Sequence, residues 1–168
     1  MEQDHITIQN LMPRFLAFYR LASAAPPEQR WSLWQEHYGF AAVPPGEEWA
    51  RLAQTLLERA WDRYPQAISA LEAWAPDADA ASRYLTEVKS ALDCRQPLSV
   101  TLLFFVGGFE GNAFAAPTQD GGAAICLPVE AGLDTVTLVH ELTHLVHAAV
   151  SGRSLQWGQS VAELLLAE

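Results

Sequence analysis

A chain of 168 residues, half of them hydrophobic and 18% charged, is long enough to bury a sizeable core and too apolar to be disordered. Its formal net charge of −10, with Lys89 as its only lysine and nine scattered arginines, argues against a nucleic-acid partner, because phosphate binding needs basic clusters. No run approaches the roughly 18 to 20 apolar residues of a membrane span, and the opening M-E-Q-D-H-I-T-I-Q-N lacks a signal-peptide pattern. The expected setting is therefore the cytoplasm, with no membrane partner. Cys94 and Cys126 are expected there as reduced, mostly buried thiols.

Residues 1–95 read as a helical region. Apolar residues recur at helical spacing from Ile8 to Leu21, and that helix stops before Pro26-Pro27. A second helix is predicted over Glu28 to Tyr38, ending at Gly39. After V-P-P-G, the stretch from Glu47 to Tyr64 places Trp49, Leu52, Ala53, Leu56, Leu57, Ala60 and Trp61 on one stripe, the clearest amphipathic period in the sequence. Pro65 ends or kinks it, a shorter helix follows to about Trp74, and another runs from about Ala78 to Leu92. The tryptophans of this half are expected as core anchors.

The pattern then changes. L-S-V-T-L-L-F-F-V (98–106) is a β-branched and aromatic run, hence a buried strand. A glycine-rich stretch follows, with an irregular strand near Ala113 to Ala115. Asp120-Gly121 is a hairpin signal, and A-A-I-C-L-P (123–128) is the next strand, closed by Pro128. Asp134 or Thr135 can cap a helix that continues to about Val150 and breaks at Ser151-Gly152. A loop leads to a final helix from about Gln159, still apolar in V-A-E-L-L-L-A-E, so the natural domain is expected to continue past Glu168. The expected fold class is α+β. A helical N-terminal half (1–95) precedes a core (96–168) of a small, mostly antiparallel sheet and two helices.

The helix before Val150 carries V-H-E-L-T-H-L-V-H (139–147). At about 100° per residue, and with His140 at zero, His144 lies near 40° and His147 near −20°, with Glu141 beside that face near 100°. This is the H-E-x-x-H arrangement, in which two imidazoles one turn apart hold Zn²⁺ and the glutamate between them reaches the water on the metal. Zinc lowers the pKa of that water, and Glu141 takes its proton as it attacks a carbonyl. Two imidazoles and a carboxylate suit zinc best among common ions. The third ligand is not the histidine of a metzincin, since the position six after His144 is Val150. His147 shares the face but lies a turn further on, and reads as a second-shell or core histidine. Glu163 and Glu168 remain as carboxylate candidates. They lie about 140° apart on the last helix, so both cannot face one ion, and depth along an antiparallel helix leans to Glu163.

H-E-L-T-H followed by a helix-borne glutamate resembles the gluzincin clan, which includes thermolysin-like proteases and zinc aminopeptidases. G-N-A-F-A (111–115) is similar to the substrate-binding edge strand of thermolysin. That likeness implies that backbone groups of Asn112 and Ala113 hold an extended peptide by strand addition. The layout, a helical half and then this unit, looks closer still to the bacterial YjaZ-like family of predicted zinc-dependent proteases. Its glutamate-glycine-leucine-alanine segment would match the terminal L-L-A-E up to Glu168, which pulls the third ligand to Glu168. The choice between Glu163 and Glu168 stays open. The resemblance implies a zincin-like fold, in which the H-E-x-x-H helix is followed by a glutamate helix. It also implies a gluzincin-type metalloprotease with Zn²⁺ as cofactor and a peptide or protein as substrate. It supplies no oxyanion donor, because the histidine and tyrosine that serve thermolysin-like enzymes have no counterpart here. An alternative is a zinc-binding regulatory or interaction domain of the same fold without turnover. A metal-free helical adaptor, binding through its Trp-rich half, is a third reading. Metal content and peptide cleavage separate the three.

Overall fold

The computed structural model describes residues 3–39, 47–117 and 123–152, and the side chains of all of these but Ala116 and Pro117. The chain opens with a strand, β1 (His5–Asn10). This corrects the expectation of a helix from Ile8. In H-I-T-I-Q-N the exposure alternates, with His5, Thr7 and Gln9 exposed and Ile6 and Ile8 half-buried against the core, which is the two-residue period of a strand. Helix α1 (Met12–Ser23) begins only after the Asn10 side chain accepts from the Met12 amide at 2.9 Å and Pro13 occupies the first turn.

A short 3₁₀ turn (Pro27–Gln29) leads into α2 (Arg30–His37), followed by α3 (Glu47–Ala60), α4 (Tyr64–Ala73) and α5 (Ala78–Ala91). The break between α3 and α4 falls where Pro65 starts a new helix. Asp77 caps α5 by accepting from the Ala80 amide. The apolar stripe of α3 is buried only toward its end, at Leu57 and Ala60, while Trp49 and Leu52 at its beginning stay exposed. Trp34 is buried, and Trp31, Trp61 and Trp74 pack on the core from its margin. The core-anchor expectation thus fails for Trp49.

The sheet contains β1, β2 (Ser99–Phe105), β3 (Phe114–Pro117) and β4 (Ala123–Pro128) in the order β1-β2-β4-β3. β1 pairs with β2 and β2 with β4 in parallel, and only β3 runs antiparallel, against β4. The sheet is mixed, and the mostly antiparallel arrangement expected from the sequence is corrected. The hairpin signal between β3 and β4 governs that pair alone, and Asp120-Gly121 itself lies outside the described residues. β2 and β4 occupy the centre, so both of their faces are covered and their sequences read as nearly unbroken apolar runs.

Register separates the faces. Ile6, Ile8, Val100, Leu102, Phe104, Ile125 and Leu127 share one face, on the side of α1 and of Trp74, whose ring meets Phe104. Leu103 and Phe105 of β2, Cys126 of β4 and Phe114 of β3 share the other. Helix α6 (Thr135–Ser151) packs on β3 and β4 and also against α5. An aromatic cluster of Phe15, Phe18, Tyr38 and Tyr64 fills the space between the N-terminal helices, with centroid separations of 4.9 to 6.2 Å. The architecture is α+β, and one hydrophobic cluster runs from Leu11 through the sheet to Val146.

Candidate functional site

Both ends of α6 are built as the sequence suggests. Asp134 is its N-cap, accepting from the Thr137 amide at 2.7 Å, and Gly152 closes it in the left-handed region at φ 68°. The hydrogen bond to Thr137 holds the exposed Asp134 carboxyl below its usual pKa. Leu138, Leu142, Leu145 and Val146 are buried, and they anchor the helix on the sheet. This anchoring fixes which way the polar residues between them point.

His140 is exposed and His144 half-buried. Their Nε2 atoms face each other 2.9 Å apart, with ring planes at 80° and centroids 4.5 Å apart. Two nitrogens bound to one tetrahedral zinc at about 2.0–2.1 Å stand roughly 3.3 Å apart. The pair is therefore within a few tenths of an ångström of the spacing that a shared ion needs. Glu141, between them in sequence, turns the other way into the protein. It is 5% exposed, and among the described residues its Oε2 has no hydrogen-bond partner. Burial raises its pKa, against the opposing pull of His140. The two converging imidazoles are a donor pair of the kind that holds a cation, and Glu141, turned inward, is not part of that pair.

Below Glu141 lies β4. Cys126 is buried there, and its thiol is pushed up to about 12, first by burial and then by the charge of Glu141. Cys94 is also buried, and both cysteines are free. The register partner of Cys126 on β3 is Phe114, so the edge strand begins beside the position beneath Glu141. Asn112 and Ala113 immediately precede that strand rather than belonging to it, Asn112 exposed and Ala113 half-buried.

His147 is exposed one turn beyond His144, which removes its reading as a core histidine. Glu163 and Glu168, the two candidates for a third ligand, lie outside the described residues. Among the described residues no set of three His, Cys, Asp or Glu side chains converges on one point. Also among them, no helix is long and apolar enough to cross a membrane.

The sequence reading missed a second buried carboxylate, Glu130, which is 9% exposed. Its Oε2 accepts from the Gly107 amide at 3.0 Å and its Oε1 from the Phe109 amide at 2.9 Å. The only signal was an acidic residue directly after a buried strand, in I-C-L-P-V-E. Comparison of the chain with protein-family models, with curated proteins and with solved structures finds no match.

Proposed function

We propose that the chain is a zinc-dependent peptidase of the gluzincin kind, acting in the cytoplasm on a peptide or protein substrate held in extended conformation. The observation that carries the reading is the convergence of the His140 and His144 Nε2 atoms, with the adjacent Glu141 buried and its Oε2 unpartnered among the described residues. His140 and His144 would hold the ion, together with Glu168 or Glu163. The ion would supply a Lewis acid for the activation of water.

The chain's own groups do the rest. Glu141, with its pKa raised by burial, is the base that takes the proton of the attacking water. An acceptor whose pKa lies nearer neutrality can also return that proton to the leaving amine. The apolar surroundings of Cys126 and Leu142 keep bulk water from Glu141. The edge strand β3, preceded by Asn112 and Ala113, offers backbone groups to an extended peptide on the side away from β4.

The test is the metal content, by mass spectrometry, of protein purified without added metal, with wild type beside His144→Ala. About one zinc per chain, lost in the variant, is expected, since two imidazoles supply most of the donor set. Peptide cleavage that is abolished by Glu141→Gln, with zinc retained, is expected to follow. Zinc without any cleavage would favour the non-catalytic binding domain. Absence of zinc in both proteins would end the metallopeptidase reading.

A further inference from the structure

The loop between β2 and β3 is held at three points by groups from three separate parts of the chain. Tyr38, the residue after α2, is fully buried. Its hydroxyl donates to the Val106 carbonyl at 3.1 Å and accepts from the Val106 amide at 2.7 Å. Tyr64, at the start of α4, donates to the Gly107 carbonyl at 2.8 Å. Glu130, just after β4, takes the amides of Gly107 and Phe109 on its two carboxylate oxygens.

The segment accommodates these partners closely. A Cβ at Gly107 would stand 3.1 Å from the Glu130 carboxylate and 3.2 Å from the Phe105 ring, and one at Gly108 would meet Leu56 at 3.0 Å. Phe109 follows in the left-handed region at φ 63°, a conformation that a bulky residue adopts only when its surroundings impose it. Arg63 lies over its ring at 4.1 Å and Tyr64 packs beside it at 5.6 Å. Three residues beyond Phe109 the chain reaches Asn112, and two further on it enters the edge strand β3.

β3 is only four residues long and pairs on one side, with β4. Its position therefore depends on how the chain is delivered to it from residue 109. Among the described residues, Glu130 is the only charged group that holds this loop by its backbone. Resting on the peptidase reading, we infer that Glu130 is a positioning residue. Through the amides of Gly107 and Phe109 it fixes the place of β3, and so the register in which an extended substrate lies along α6. Tyr64 supports it on the carbonyl side. The N-terminal helices thereby contribute to substrate binding without touching the substrate.

The test uses the zinc-loaded full chain as wild type, Glu130→Gln and Tyr64→Phe. Hydrogen exchange by mass spectrometry is followed in residues 107–117 and, as control, in 135–151. Glu130→Gln turns an amide nitrogen toward one of the two N–H donors and breaks that bond. Exchange in 107–117 is expected to accelerate about tenfold, the equivalent of one charge-assisted hydrogen bond, with 135–151 unchanged. KM for peptide cleavage is expected to rise by about the same factor while kcat stays within about twofold, because the reacting groups on α6 are untouched. Tyr64→Phe moves the same quantities in the same direction by less, and it carries the test alone if Glu130→Gln does not fold. Unchanged exchange in 107–117, or a fall in kcat at constant KM, would overturn the inference. If wild type binds zinc but cleaves no peptide, the peptidase reading fails on that result. The exchange data still decide whether Glu130 fixes β3.

Discussion

Glu141 is buried with one carboxylate oxygen unsatisfied among the described residues, a cost that the metal-free protein carries. The expected consequence is that removing the carboxylate stabilises the apoprotein. Leaving a buried polar group without a partner costs about 1–3 kcal/mol. Glu141→Leu, of similar length and with apolar neighbours in Leu138, Leu142 and Leu145, removes that cost. In a chain of this length a kilocalorie corresponds to about 2–4 °C in Tm, so the expected rise is about 2–12 °C. Glu141→Gln, which removes the charge but keeps a polar end, should gain less. The sign of the pH dependence follows from the raised pKa of the carboxyl. The folded protein binds the proton more tightly than the unfolded chain does. Stability is therefore greatest below the ordinary glutamate value of 4.5 and falls as pH rises through the raised folded value. The difference between variant and wild type should shrink as pH falls toward 4.5 and reach its full size above the folded value. Thermal unfolding followed by circular dichroism in the presence of a chelator measures both. If Glu141→Leu lowers Tm, or if the difference does not change with pH, the carboxylate has a partner in the fold and the argument fails.

Three further outcomes are expected. Cys126 ionises only near 12, against an ordinary 9.0, so its contribution is complete below pH 9 and is lost as pH rises toward 12. The slope between pH 9 and 10, to which the buried Tyr38 and Tyr64 also contribute, should be reduced in Cys126→Ala, as read by chemical unfolding across that window. Asp134→Ala should lower Tm and Asp134→Asn should not, because asparagine caps equally well. The cap of the wild type weakens as pH falls through the depressed Asp134 pKa. Thr7→Pro should cost about 1–3 kcal/mol. The amides of His5 and Leu11 bond to Leu98 and Phe104 of the neighbouring chain segment, so by alternation that of Thr7 also points to β2. A full-stability variant would mean that residue 7 precedes a helix and that β1 is misassigned.

The elements flanking the site were legible because their signals are local. Asp134 and Gly152 bracket α6 with chemistry that acts within a turn, and the unbroken apolar runs of β2 and β4 mark strands covered on both faces. β1 was hidden because Ile8 fits two periods at once. It alternates with Ile6 in a strand, and it also continues the helical stripe toward Phe15, so nothing local chooses between them. The choice is made by β2, whose edge is available only after residues 99–105 have been added. Parallel pairing of β2 with β4 was hidden for a similar reason. The turn residues before β4 encode its partnership with β3 and say nothing about the strand on its other side. Within the site, the histidine pair could be placed from helical geometry alone. The grip of Tyr38, Tyr64 and Glu130 on one loop could not, because those residues stand 68, 43 and 23 positions from the backbone they hold.

The two buried glutamates give the strongest internal contrast in the molecule. Glu130 has both oxygens satisfied by backbone amides, so burying it is compatible with stability and calls for no external partner. Glu141 is no more exposed, yet among the described residues one of its oxygens has nothing to accept from. It also sits one residue from an imidazole that converges on another. A sequence selected only for stability would replace Glu141 with leucine, continuing the run of Leu138, Leu142 and Leu145, because the backbone already supports an apolar residue there. Retaining an acid at that position makes sense if its partner comes from outside the described residues; His140 and His144 would hold an ion, and Glu141 would serve as the base beside them. The same reasoning assigns the two acids different sensitivities. Zinc loading should restore stability lost at Glu141 while leaving the exchange of residues 107–109 unchanged, whereas Glu130→Gln should do the reverse. A zinc titration that protected both regions equally would mean that the loop and the helix respond as one unit, and that the division between a structural and a chemical glutamate is wrong.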